Sequence, residues 1–221
     1  MTPAQERIDT RPPGIALIVS SVVAVVAMTH HPVPGGADFA AWARNVERIG
    51  ALNEAVHGTM IFLVGVLTWA LSAFAIRRGV HRSLVTLGLV AWAMGAVSMI
   101  IAPVLNGFVV TDIARRALAS PESADMLRVA LQAMWAGDRV IALIGVIAMS
   151  AAIFFWSADL TTGVGGARWA GLFGLAAGLA PLVGAVSIGL VGLNTGAMML
   201  ALVVWAVWFV AIGALMIQRK V

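Results

Sequence analysis

Six apolar runs, over residues 14–30, 56–76, 84–110, 130–156, 169–191 and 197–217, dominate this 221-residue chain. A bilayer core about 30 Å thick is crossed by roughly 20 apolar residues in helical form. Inside that core the backbone finds no water, so a crossing segment must satisfy its own amides as a helix or within a closed barrel. None of the six runs shows period-two alternation, and their length predicts helices. The chain therefore reads as an all-α polytopic membrane protein, a six-transmembrane-helix bundle forming one domain over residues 1–221. Charged residues are 11% of the chain, against about 25% in soluble domains, which leaves no room for a soluble domain between the runs.

Thirteen of the fourteen basic residues are arginine, and the formal net charge is +4. These charges sit in loops beside apolar runs, so they report membrane topology and give no reason to expect nucleic acid. The densest cluster, "IRRGVHRS", places Arg77, Arg78 and Arg82 in the short turn between spans two and three. The positive-inside rule makes that turn cytoplasmic and puts both termini inside, with Arg7 and Arg11 at one end, "QRK" at the other and Arg168 on the same side. This is the pattern of a bacterial inner-membrane protein. Arg115 and Arg116 then fall outside, offset by Asp112, Glu122 and Asp125. The first run follows "ERIDTRPPG" and reads as a signal anchor, although "VVAMT" also offers small residues for signal-peptide cleavage. The absence of cysteine excludes disulfides and thiolate metal sites.

The outer connections carry structure of their own. In "ADFAAWARNVERIG", Phe39, Trp42, Val46 and Ile49 recur at helical spacing, which predicts a short amphipathic helix over about 38–49, a small extracytoplasmic helical cap. Ser120 as N-cap and Pro121 at the first helical position start a helix well before span four, so spans three and four extend together as a hairpin. Asn53 and Asn194 stand directly before spans two and six and read as helix caps, whereas Asn106 in "PVLNGFVV" continues an apolar helix. Trp42, Trp135 and Trp156 fall near span boundaries, where indoles anchor a helix at the membrane interface. Gly171, Gly174 and Gly178 in span five allow close helix approach, within the bundle or against a homodimer or another membrane-protein partner.

Polar groups at membrane depth normally face the bundle interior or a wet cavity. Here they gather at one side: His30 and His31 end span one, Glu54 and His57 open span two, Asn106 and Asp112 close span three, and Asp138 with Arg139 lies near the outer end of span four. An outward-facing site in the outer leaflet follows, made by His30, His31, His57 and Asp138 and supported by Glu54, Asn106 and Arg139. Met28 is three residues before His31 and Met60 three after His57, so across antiparallel spans each histidine has a methionine one turn deeper. Two imidazoles and two thioethers suit copper as Cu(I), and the histidines with a carboxylate suit zinc. The same residues without metal would hold a small polar ligand or a proton. Haem b on His31 and His57 fits less well, because both lie at helix ends and a haem needs a cavity between the helices. Glu54 and His57 form one E-x-x-H, and the second one required by di-iron bundles is missing.

No phosphate-binding P-loop, nucleophile elbow or H-E-x-x-H occurs, and no spacing singles out a nucleophile, so an enzymatic role stays open. Two other readings remain. One is an accessory or structural subunit of a membrane complex. The other is a small-solute transporter, against which the second half lacks intramembrane charges and matched broken helices.

Overall fold

The computed structural model describes residues 9–188 and 195–221, and the regular structure there is entirely helical. In chain order the helices are α1 (Arg11–Thr29), α2 (Phe39–Arg78), α3 (Ser83–Pro103), α4 (Val110–Ala119), α5 (Ala124–Leu160), α6 (Gly165–Ile188) and α7 (Thr195–Ile217). A π-helical segment, Val104–Val109, joins α3 to α4 without a break. Five stretches are long and apolar enough to cross a membrane: Arg11–Thr29, Phe39–Arg78, Ser83–Ala119, Ala124–Leu160 and Met198–Ile217. Arg7, residues 189–191 of the fifth apolar run, and Asn194 lie outside the described residues.

Neighbouring helices pack in the order α1, α2, α3, α5, α6, α7, and α7 returns to α1, which closes a ring. Small residues set the closest approaches. A Cβ at Gly171 would lie 2.8 Å from Ser157 O, and one at Gly178 would lie 2.7 Å from Ser150 O, so α6 meets α5 backbone to backbone. The glycine face of α6 is thus covered within the chain. On the other side of the ring a Cβ at Gly14 would come 2.7 Å from Gly213 O, seating α1 on α7.

The core is aromatic. Phe74, Trp92, Trp156 and Trp208 are all buried, and the Trp156 and Trp208 rings stack with centroids 6.3 Å apart. Trp156 is therefore not the interfacial anchor its position suggested. Gly88 on α3 leaves room for the indole, whose Nε1 donates to Val85 O at 3.1 Å.

Two other expectations change. The amphipathic stretch over 38–49 is not a separate helix but the first turns of α2, capped by the Asp38 side chain, which accepts from Ala41 N at 2.7 Å. Nothing stops that helix at Gly50, because the apolar stripe that begins it is already covered: Ala43 and Val46 cluster with Val110, Ala114 and Leu131. Trp42 meets Trp135 edge to face at 5.5 Å. Pro121 opens a 3-10 turn, Pro121–Ser123, and α5 proper starts at Ala124, with the expected long hairpin of α3–α4 and α5 present.

The end carrying the 79–82 turn, which we term the arginine end, is closed by charge. Asp159 near the end of α5 has a side chain only 4% exposed and receives Arg78 Nη2 at 2.6 Å and Arg82 Nε at 2.9 Å. Two of the arginines that mark this turn are thus held by a carboxylate. Breaking such a buried pair from one side strands the remaining charge and costs about 3 kcal/mol or more. Asp159→Asn should therefore lower the midpoint of thermal unfolding in detergent, read by circular dichroism, and an unchanged midpoint would show the pair to be unimportant for stability.

Candidate functional site

Pro103 ends α3 without an amide to donate, and the backbone shifts into the wider π turn at this point. The shift presents carbonyls sideways to α2. Asn53, buried mid-helix on α2, donates from Nδ2 to Asn106 O at 2.9 Å and Gly107 O at 3.2 Å. Asn53 is therefore not a cap, since α2 begins at Phe39, and it fastens two helices together. One turn further along, His57 lies against Gly107, where any Cβ would collide with the imidazole.

These contacts fix the chemistry of His57. Its Nδ1 sits 2.8 Å from Asn53 O, an acceptor only, so Nδ1 carries the proton and Nε2 keeps its lone pair. Facing it at 3.3 Å is His31 Nε2, with ring centroids 4.9 Å apart and planes at 66°. As a hydrogen bond this pair requires His31 Nε2–H to donate to His57, which leaves the His31 Nδ1 lone pair buried with no partner. Burial, and secondarily the nearby His57, lowers the pKa of His31 from the ordinary value.

Across the bundle, Asn106 donates through Nδ2 to Asp138 Oδ2, while Asp138 Oδ1 is buried and has no partner among the described residues. Both pairs border one cavity of about 320 Å³. Met28 and Met60 line it as the spacing predicted, and Met99, Met149 and Met198 line it too. Arg139 contributes to the wall, with Nε 3.4 Å from Trp135 O.

The structure leaves two predicted members out. His30 turns away and is exposed, its Nδ1 at 2.9 Å from Val26 O, because adjacent residues at a helix end point about 100° apart. Glu54 pairs with Arg115 at 3.0 Å and does not line the cavity, having been drawn to the charge on α4. Among the described residues no group of three or more His, Asp or Glu side chains comes together to hold a metal ion. Axial ligation of haem by His31 and His57 would require the rings to part, since nitrogens at hydrogen-bond distance admit no porphyrin plane.

Residues that the sequence did not assign to the site do much of the positioning. Asn53 is four residues before His57, on the same helix face, and that spacing was a usable signal. Gly107 carried none. Comparison with known proteins gives no match: no family model, curated protein or solved structure is similar to this chain.

The lowered pKa of His31 fixes the sign of a pH effect. The folded state disfavours the imidazolium, so the unfolded chain binds more protons and stability falls as the pH drops through the ordinary histidine value of about 6.5. Unfolding midpoints followed from pH 8 to pH 5 should decline in the parent and decline less in His31→Gln; identical slopes would remove the assignment.

Proposed function

We propose that this chain is a ligand-binding integral membrane protein whose outer-leaflet end holds a small hydrogen-bonding molecule at His31, His57, Asn106 and Asp138. The five apolar stretches support the membrane location, and α6, packed between α5 and α7, fits as the sixth span. In this reading the termini and the arginine end face the cytoplasm of a bacterial cell, and the start of α2 with α4 forms the outer cap.

One observation carries the functional reading. Among the described residues, His31 Nδ1 and Asp138 Oδ1 are buried without partners, and both residues border the same cavity. A buried polar atom without a partner costs about 1–3 kcal/mol, and a ligand that supplies the missing bonds recovers it. A cavity of a few hundred Å³ with mostly apolar walls and a few convergent polar groups is the usual form of a small-molecule site.

A second reading has its own support. The 3.3 Å between the Nε2 atoms equals the edge of a tetrahedron with metal–nitrogen bonds of about 2.0–2.1 Å. With carboxylates not converging on the histidines, the further donors are thioethers, which favour Cu(I) over zinc.

Phenol and Ag(I), the latter a redox-stable stand-in for Cu(I), separate the readings in purified protein. A ligand at 100 times its Kd raises stability by about 2.7 kcal/mol. Phenol raising the unfolding midpoint of the parent and not of Asp138→Ala supports the organic ligand. Stoichiometric Ag(I) lost in His57→Ala supports the metal. If neither probe distinguishes the parent from these variants, the site reading is wrong.

A further inference from the structure

The cavity has a direction. On α2 its wall runs from His57 to Leu67, ten residues, or about 15 Å of helix. On α3 it runs from Asn106 back to Trp92, on α5 from Asp138 to Met149, and on α7 it reaches Phe209. Because successive helices alternate in direction, the histidines, Asn106, Asp138 and Arg139 lie at one end and Leu67, Trp92, Met149 and Phe209 at the other. An elongated cavity of that length, walled by apolar side chains away from the polar end, has the shape to take a hydrocarbon chain.

The head end has a chemical polarity as well. His57 Nδ1–H is committed to Asn53 O and His31 Nε2–H to His57. The free position on His31 is an acceptor. The free oxygen of Asp138 accepts when the carboxylate is charged and donates when it is protonated. A hydroxyl group donates its one hydrogen to His31 or to the charged carboxylate, and it bonds both at once when Asp138 is protonated and donates to the hydroxyl oxygen. A carboxylate or phosphate head has only acceptors to offer His31 and would compete with Asp138 for the charge of Arg139 in the same wall.

We infer that the ligand is a single-chain lipid with a hydroxyl head, an alcohol or phenol whose O–H bonds to His31 Nδ1 or Asp138 Oδ1 while its hydrocarbon tail runs between α2, α3, α5 and α7 to the aromatic core. This rests on the small-ligand reading of the same site and adds the class of molecule and its direction. Trp92 and Trp205 line the cavity and report on the tail.

The test uses the full chain in detergent and follows tryptophan fluorescence. Bromine at the far end of 12-bromododecan-1-ol quenches an indole on contact. Saturable quenching is expected, with the corresponding bromododecanoic acid about tenfold weaker and 1-bromododecane showing only unsaturable partition. His31→Ala and Asp138→Ala should each weaken the alcohol about tenfold. The double variant Trp92→Phe/Trp205→Phe should lose most of the response. Val64→Phe, which narrows the tail channel away from the head, should abolish chain binding yet retain stabilisation by phenol, and that retention also shows that the variant is folded. Equal affinity for alcohol and acid, or saturable quenching untouched by Val64→Phe, overturns the inference. Stabilisation by phenol without saturable binding of the long alcohol also overturns it, while leaving the small-ligand site intact.

Discussion

Lipid offers a backbone carbonyl no water, so the π turn at Val104–Val109 must find its partners inside the bundle, and Asn53 supplies them. That one amide joins three features that would otherwise be unrelated. It holds α2 to the irregular segment, its own backbone oxygen sets the tautomer of His57, and the segment it fastens carries Asn106 towards Asp138. Were residues 104–109 an ordinary α turn, Asn106 would point elsewhere by the accumulated rotation and the carboxylate would lose the hydrogen bond from Asn106. The irregularity is what brings the two halves of the site around one cavity.

The two ends of the bundle handle polar groups in opposite ways. At the arginine end Asp159 is matched by two guanidiniums and Thr10 Oγ1 by Met216 O at 2.7 Å, so the elements there are tied together. At the histidine end the donors and acceptors are nearly matched but leave two acceptors over. Both arrangements are buried, and the second borders the cavity. The charge-closed end and the cavity end thus lie apart, joined by a tryptophan-rich core.

What the sequence disclosed depends on how far each signal reaches. The apolar runs are dictated by lipid alone and were legible without any tertiary knowledge. The pairing of His31 with His57 was legible because two antiparallel helices and a turn constrain which residues meet, and the methionine spacing followed from the helix period. Asn53 and Trp156 were read by their distance from a span boundary, which says nothing about which face they occupy. Their roles come from neighbours fifty to seventy residues away, the π-segment carbonyls and Val85. Asp159 was overlooked for the same reason: a lone acid near a helix end acquires meaning only when the Arg78 side chain is seen to reach it. Glu54 was placed in the site because it shares a helix with His57, but it lies three residues away and is taken up by Arg115.

The closure of the ring between α1 and α7 has a consequence in time. Thr10 and Met216 are 206 residues apart in sequence, and Met198 and Phe209 on α7 form part of the cavity wall. During synthesis at about 5–20 residues per second, His31 and His57 enter the membrane many seconds before α7 exists. For that interval the histidine pair faces lipid or a passing partner on one side. The cavity wall is therefore closed only when the last helix arrives, although the histidines that line it are among the first residues made.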